Sequence, residues 1–156
     1  MPINLLLTFN DEKNEEIMKK EKTILIVDDE VKNVRLLKAI LTKENFNLVS
    51  SLNGENALKI VKSNSVDLVL LDIMMMGMNG YTVCEKIKNN EKTRDIPILM
   101  LTVLTGKEDR RKAMKAGADY FMSKPVVRNE LLDRIHSLLS HDNRIGPSRT
   151  DSCGNC

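Results

Sequence analysis

The sequence predicts a doubly wound α/β domain, in which a parallel sheet carries helices on both faces. Two observations lead to this fold class. Between residues 23 and 140, short apolar runs alternate five times with amphipathic stretches of helical length, which is typical of right-handed βαβ units. Three of the apolar runs are continuous instead of alternating with polar residues, as expected for parallel strands that are buried on both faces.

Each predicted strand is a short run that leads into a polar residue. The first strand is followed by Asp28 and Asp29, and the second is weaker because fewer of its residues are apolar. The third strand ends at Asp72, the fourth ends at Thr102, and Lys124 follows the short fifth strand. The predicted strands cover residues 23–27, 46–51, 66–72, 96–102 and 120–123.

Each predicted helix carries an apolar stripe at helical spacing. Asn53 and Gly54 are expected to open the second helix, and Gly117 is expected to cap the fourth, because glycine commonly ends helices. The helices are expected over 31–41, from residue 54 onward, around 83–87, over 105–116 and over 128–140. Five strands connected in this way fit the flavodoxin-like sheet order 2-1-3-4-5.

The chain has 156 residues, which suits one domain with a sizeable core. We expect an N-terminal extension over 1–22 with a mixed-charge run, the α/β domain over 23–140, and a disordered tail over 141–156. The tail is rich in Gly, Pro, Ser and Asn and has almost no apolar residues, so it cannot bury a core of its own.

Composition argues against several classes of function. The formal net charge is +2, and the chain has no Trp and only 3% aromatic residues, so neither electrostatics nor base stacking favours direct nucleic-acid binding. No window approaches the roughly 18 apolar residues of a membrane-spanning helix. Three cysteines are too few for a disulfide framework, and we therefore expect a cytoplasmic protein with no membrane contact.

Two of the three cysteines, Cys153 and Cys156, lie in the predicted tail. Their spacing matches half of a zinc site, but His136 and His141 are too loosely related to complete it. Cys153 also stands fourth from the end, as prenylation requires, although the next two residues are not aliphatic. We favour incidental cysteines in a tail.

The polar residues that follow the strands are expected to share one crevice. In open parallel sheets the functional site lies beyond the carboxyl ends of the strands, where the winding reverses. Asp28, Asp29 and Asp72 would then lie together and repel one another, by about 4 kcal/mol per pair at 4 Å and an effective dielectric of about 20. Hard oxygen ligands without His or Cys favour Mg²⁺. With the amine of Lys124 and the hydroxyl of Thr102, these groups could move a phosphoryl group onto an aspartate.

Four motifs in these positions resemble the receiver (response-regulator) domain of two-component signalling, the CheY-like family: ILIVDDE, LVLLDIMMMGMNG, ILMLT and ADYFMSKP. The resemblance covers residues 23–140, about three quarters of the chain. Two longer stretches, NVRLLKAILTKENF and GYTVCEKIKNNEKTRDIPILMLT, are similar to receivers that precede diguanylate cyclases.

The resemblance implies a role for each site residue. Asp72 would be the phosphoacceptor that attacks the phosphohistidine of a partner kinase. Asp28 and Asp29 would hold Mg²⁺ together with Asp72 and the backbone carbonyl of Met74. Lys124 would pair with the phosphoryl group.

It further implies a switch. Thr102 would hydrogen-bond a phosphoryl oxygen and move when that group arrives, and Phe121 would swing between outward and inward positions. Pro125 would follow Lys124 through a peptide that is typically cis in the family.

The chain departs from the family pattern at three positions. Met76 stands where the family usually has Pro, so the loop is expected to be less rigid. Asn79 replaces a common Asp, and Val103 stands where Ala or Gly is usual. None of these changes removes a chemical group, so we expect them to affect the rate rather than the competence of phosphorylation.

The expected partners are a histidine kinase or phosphotransfer protein and a downstream protein effector, which would bind the face formed by helix 4, strand 5 and helix 5. Basic residues on helix 4 are either a solvated face or part of that surface: Lys107, Arg110, Arg111, Lys112 and Lys115. The protein would be a signalling phosphoacceptor and not an enzyme, with self-phosphorylation and slow autodephosphorylation as its only reactions. Whether phosphorylation causes dimerisation stays open.

Alternatives remain. The chain could be a stand-alone regulator or a receiver fragment of a larger protein. It could also be a pseudo-receiver scaffold that binds without phosphorylation, which the intact site residues argue against. A Mg²⁺-dependent phosphohydrolase would want a second acid two residues after Asp72, where the chain has Met74. Asp28 and Asp29 could instead be helix caps, and the methionines at 74–78 could be apolar filler.

Overall fold

The computed structural model describes residues 20–140. The predictions for residues 1–19 and for the tail over 141–156, including Cys153 and Cys156, lie outside the described residues. The strands are β1 Lys22–Val27, β2 Phe46–Ser51, β3 Leu68–Asp72, β4 Ile98–Thr102 and β5 Tyr120–Ser123. The helices are α1 Val31–Leu41, α2 Gly54–Ser63, α3 Gly80–Lys88, α4 Lys107–Lys115 and α5 Arg128–Ser140.

The five strands form one parallel sheet in the order β2-β1-β3-β4-β5. This order confirms the predicted fold class. The reversal of winding lies between β1 and β3, which are hydrogen-bonded neighbours. The sheet order therefore brings the ends of β1 and β3 side by side at the crevice of the fold.

Each face of the sheet packs against its own helices because successive strand side chains point to opposite faces. Val69 and Leu71 of β3 pack with residues of α2, α3 and α4, whereas Leu68 and Leu70 pack with residues of α1 and α5. All five residues of β3 and all five of β4 are buried. Continuous apolar runs in these strands thus correspond to burial on both sides.

Three elements begin two residues later than predicted: β3, β4 and α4. β3 begins at Leu68 instead of residue 66. β4 begins at Ile98 instead of residue 96, because Pro97 has no N–H to donate to a sheet and Lys88 Nζ binds the Ile96 carbonyl at 2.8 Å. α4 begins at Lys107 instead of residue 105, with Gly106 as its N-terminal cap in an extended conformation. Gly117 ends α4 with a φ of 99°, as predicted.

Within residues 20–140, no helix combines the length and the apolar character that crossing a bilayer requires.

Candidate functional site

The predicted site residues lie at one edge of the sheet. Asp28 directly follows β1, Asp72 and Thr102 are the last residues of β3 and β4, and Lys124 directly follows β5. Parallel register aligns these ends, since Asp72 pairs with Leu101 of the neighbouring strand. The strand ends in the sequence thus predicted that these residues lie together, and the structure places them at one edge of the sheet.

Three carboxylates form the acidic cluster, which consists of Asp28, Asp29 and Asp72. One oxygen from each carboxylate lies within 4.8 Å of the other two. Asp28 is 1% exposed and Asp72 is 7% exposed, so two of the three charges are largely removed from water. Such a group of like charges needs a cation close by.

Lys124 supplies one positive charge to the cluster. Its Nζ donates hydrogen bonds to Asp28 Oδ2 at 2.8 Å and to Asp72 Oδ1 at 3.0 Å. The lysine side chain is itself mostly buried. One ammonium group facing three carboxylates leaves the cluster with net negative charge, which suits a further cation.

Burial and charge act in opposite directions on these groups. Burial raises the pKa of Asp72, and the nearby Asp28 and Asp29 raise it further, while the hydrogen bond and charge of Lys124 lower it; the net shift is upward. Burial lowers the pKa of Lys124, but its bonds to Asp28 and Asp72 outweigh this, so its pKa is raised. Lys124 is therefore a charged donor at neutral pH.

Asp28 is held by neighbours that follow it in the chain. Its Oδ1 accepts the Glu30 N–H at 2.9 Å and the Asn33 Nδ2 at 3.3 Å. Helix α1 is capped at Glu30 without a side-chain hydrogen bond, so helix capping does not account for Asp28. The contribution of Asn33 was missed in the sequence, although a polar residue in the first turn of α1 was a usable signal.

Asp29 is held by the loop after β3. Its Oδ2 accepts the backbone N–H of Met76 at 2.9 Å. A proline at position 76, as the resembled family usually has, would lack that N–H. The departure at Met76 thus adds a hydrogen bond to the acidic cluster.

Thr102 is fully buried at the end of β4. Its Oγ1 accepts the Leu104 N–H at 3.0 Å, and its carbonyl accepts the Lys124 N–H at 2.7 Å. The Lys124–Pro125 peptide is cis, as the resemblance implied. Thr102 therefore holds the backbone of the lysine that binds Asp72.

Phe121 lies on β5 and is half-buried against the core that contains α4. The Arg110 guanidinium of α4 stands 5.6 Å from the centre of its ring, within the range of cation–π attraction. Arg110 belongs to the basic run predicted on this helix. The ring thus links β5 to the basic helix.

A cavity of about 470 Å³ opens on Asp72. Met74 forms part of its wall and is 59% exposed, whereas Met75 is buried in the core. In the methionine-rich loop at 74–78, one side chain therefore packs in the core while another is exposed to solvent. The lining residues are Glu30, Asn33, Leu36, Leu37, Asp72, Met74, Val103, Lys124, Pro125 and Val126.

Gly80 ends the loop that follows Asp72 and begins α3. A Cβ at this position would lie 2.2 Å from the Asp72 carbonyl oxygen and 2.8 Å from the Ile73 Cα. Only glycine permits the α3 backbone to approach the end of β3 this closely.

The donor set fits a hard divalent cation. Carboxylate oxygens are the ligands that Mg²⁺ takes in proteins, usually one or two together with water and a phosphate oxygen. The described cluster contains neither His nor Cys, so nothing in it favours a softer metal. The cluster can thus bring a cation, an ammonium group and an anionic nucleophile together.

The chain is similar to a known domain family and to curated regulators. Residues 24–136 match the family model of the response regulator receiver domain. Response regulator PleD of Caulobacter vibrioides is 43% identical over 115 residues, which are 74% of this chain and 25% of PleD. The protein ycf27 of Cyanidium caldarium is 41% identical over 121 residues, which are 78% of this chain and 47% of ycf27.

A solved structure agrees with these sequence matches. The signal receiver domain of a signal transduction histidine kinase from Syntrophus aciditrophicus has a TM-score of 0.72 at 31% identity, covering 86% of this chain and 98% of that domain. The chain thus spans less than half of PleD or ycf27 and nearly all of the solved receiver domain.

Proposed function

The chain belongs to the response regulator receiver domain family, which confirms the resemblance of its motifs, and from this premise we propose that it accepts a phosphoryl group on Asp72 in a His–Asp two-component relay. The observation that carries this proposal is the pairing of Asp72 with Lys124 beside two further carboxylates. A receiver domain is a signalling domain and not a classical enzyme.

Asp72 is the proposed nucleophile. Lys124 binds its Oδ1, while Oδ2 accepts no hydrogen bond within residues 20–140, so Oδ2 is the oxygen free to attack phosphorus. Attack forms an O–P bond, and the P–N bond of the phosphohistidine breaks with its electron pair moving to nitrogen. Lys124 then pairs with the added phosphoryl oxygens, since a point charge on a flexible stem can follow them.

Asp28, Asp29 and Asp72, with the backbone carbonyl of Met74, are the proposed ligands of Mg²⁺. The bound ion supplies charge neutralisation for the phosphoryl oxygens. The hydrogen bonds from Glu30, Asn33 and Met76 hold two of these carboxylates in place before the ion arrives.

Thr102 and Phe121 form the proposed switch. The Thr102 hydroxyl would donate its hydrogen to a phosphoryl oxygen and move away from the Leu104 N–H that its Oγ1 accepts, and the vacated space would admit Phe121. Movement of Phe121 would change its contact with Arg110 and so alter the surface of α4, β5 and α5. We propose that this surface binds the downstream effector, and its exposed basic residues favour an acidic one.

The proposed phosphodonor is a histidine kinase or phosphotransfer protein, and the proposed location is the cytoplasm. Since the chain spans only part of PleD and ycf27, both a stand-alone regulator and a part of a larger one fit this function. A phosphorylation-independent scaffold would need none of the contacts that hold Asp72 and Lys124.

The test is phosphorylation by a small phosphodonor with Mg²⁺. The wild type should gain one acid-labile phosphoryl group, and Asp72→Asn should gain none. Asp67→Asn, which changes a carboxylate near the opposite end of the strands, is the matched control and should label like the wild type. Labelling that survives in Asp72→Asn would reject the assignment.

A further inference from the structure

The loop after β3 exposes methionine side chains to solvent next to Asp72. Met74 is 59% exposed and Met76 is 87% exposed. Within residues 20–140, the other exposed methionine is Met114 on α4, at 55%. The remaining methionines of this range are half-buried or buried in the core: Met75, Met78, Met100 and Met122. A small oxidant in water therefore has access to Met74 and Met76 before it reaches the core methionines.

Met74 lies at two openings beside the acidic cluster. It lines the cavity of about 470 Å³ that Asp72 lines, and it also lines a second cavity, of about 390 Å³, that Asp29 lines. More than half of the residues around the first cavity are apolar, so its wall offers few groups that bind water. A polar group on Met74 would thus change the wall of the cavity that opens on the phosphoacceptor.

Hydrogen peroxide converts a methionine thioether into such a polar group, the sulfoxide. A lone pair of the sulfur attacks one peroxide oxygen, an S–O bond forms, and the O–O bond breaks with its electron pair moving to the second oxygen. The proton of the first oxygen passes to the second, which leaves as water. The sulfur is oxidised and the peroxide is reduced, so no further reactant is required. Methionine sulfoxide reductases reverse the modification.

We propose that Met74 is an oxidation site at which peroxide shortens the lifetime of phosphorylated Asp72. The inference rests on the proposed function and adds a regulator of that same site. The thioether is a weak acceptor and keeps its part of the cavity wall apolar. The sulfoxide oxygen instead binds water at that wall and raises its local concentration beside the aspartyl phosphate, which speeds hydrolysis.

Two other sulfur groups are rivals for this role. Met76 is more exposed, but it lines the cavity of Asp29 and not that of Asp72, and its contact with the acidic cluster is made by its backbone N–H. Cys84 is buried, its Sγ donates to the Ala116 carbonyl at 3.4 Å, and burial raises its pKa to about 12. It is therefore not the thiolate that peroxide attacks.

The experiment uses the full chain with Ser in place of Cys153 and Cys156. The protein is treated with hydrogen peroxide, which catalase then removes, and is phosphorylated with acetyl phosphate and Mg²⁺. Peptide mass spectrometry measures the sulfoxide at each methionine, and decay of the aspartyl phosphate is followed after removal of the donor. Met74, Met76 and Met114 should be oxidised before the core methionines, and decay should be roughly tenfold faster once Met74 is oxidised. A sulfoxide reductase should restore the slow decay.

Variants assign the effect through the ratio of decay rates with and without peroxide. Met74→Leu keeps the backbone carbonyl and removes the sulfur, so its ratio should fall to about one. Met114→Leu, the matched control for an exposed methionine on another element, should keep the full ratio, and so should Met76→Leu. Met74→Gln carries an amide oxygen on a side chain of similar length and should decay fast without peroxide.

Three results would overturn the inference while leaving phosphorylation of Asp72 intact. They are oxidation of Met74 no faster than that of Met100, unchanged decay when Met74 is fully oxidised, and acceleration that survives in Met74→Leu. Acceleration that is lost in Met76→Leu alone would also overturn it, by assigning the effect to Met76. An untreated protein that takes no phosphoryl group on Asp72 would instead reject the proposed function.

Discussion

Replacing Asp29 by Asn is expected to stabilise the metal-free fold by about 2 kcal/mol and to remove most of its response to Mg²⁺. Asp29 is the member of the acidic cluster whose described hydrogen bonds include none to Lys124; its Oδ2 accepts the Met76 N–H instead. Asparagine keeps an oxygen for that N–H and removes only the charge. The substitution therefore isolates the electrostatic repulsion within the cluster.

The magnitude follows from the distances. At the 4.8 Å that bounds the cluster and an effective dielectric of about 20, each pair of carboxylates repels by about 3.5 kcal/mol, and Asp29 takes part in two pairs. Three effects reduce the summed repulsion of the two pairs by more than half: attraction to Lys124, the partial exposure of Asp29, and screening by salt. Asp28 gains much less from neutralisation, because its own bond to Lys124 at 2.8 Å nearly offsets its two repulsions.

The assay is urea unfolding followed by circular dichroism, in chelator and in Mg²⁺. In chelator the expected order of stability is Asp29→Asn, then Asp28→Asn, then wild type. In Mg²⁺ at about ten times its Kd, the wild type should gain about 1.4 kcal/mol, and Asp29→Asn should gain little. Asp133→Asn, on the exposed face of α5, controls for the loss of one negative charge.

The contrary result is that Asp29→Asn is no more stable than Asp133→Asn in chelator and that Mg²⁺ does not stabilise the wild type. That result would mean that the three carboxylates do not share one electrostatic site.

Three further predictions concern the surroundings of Asp72. Met74 and Leu104 cannot orient a water for hydrolysis, so the phosphorylated form should decay slowly. Met74→Asn or Leu104→Glu should speed its decay roughly tenfold. Fast decay of the phosphorylated wild type, measured after removal of the donor, would contradict this. Gly80→Ala should cost about 1–3 kcal/mol or more by overpacking against backbone, whereas Gly106→Ala meets only the end of the Asp109 side chain and should cost less in the same urea assay. Burial raises the pKa of Cys84 to about 12. In a variant that lacks Cys153 and Cys156, labelling of this thiol at neutral pH should therefore require unfolding. Rapid labelling of the native protein would show that the core around α3 opens to solvent.

The fold and the centre of the site could be predicted because both follow from strand ends. Buried parallel strands are continuous apolar runs, and β3 shows this in all five of its residues. A polar residue at the carboxyl end of such a strand lies at the edge of the sheet, where the crevice is. Asp72 and Lys124 therefore meet for a reason that is visible in the sequence.

What the sequence did not predict are contacts made by backbone groups and by residues outside the apolar pattern. The bond from the Met76 N–H to Asp29 depends on the path of a loop, for which no periodicity exists. The bond from Asn33 to Asp28 depends on the rotation of α1 about its axis, which burial of Val34 and Leu37 determines. The late start of β4 follows in part from Pro97, which the sequence shows, and in part from the bond of Lys88 to the carbonyl of Ile96, which it does not.

The most direct measurement of the central claim is to map the phosphorylated residue chemically. Borohydride reduces an aspartyl phosphate to homoserine, and peptide mass spectrometry then identifies the converted position. We expect homoserine at position 72 after treatment with phosphodonor and Mg²⁺, and none when the donor is omitted. Conversion at Asp28, Asp29 or any other position, with Asp72 intact, would contradict it.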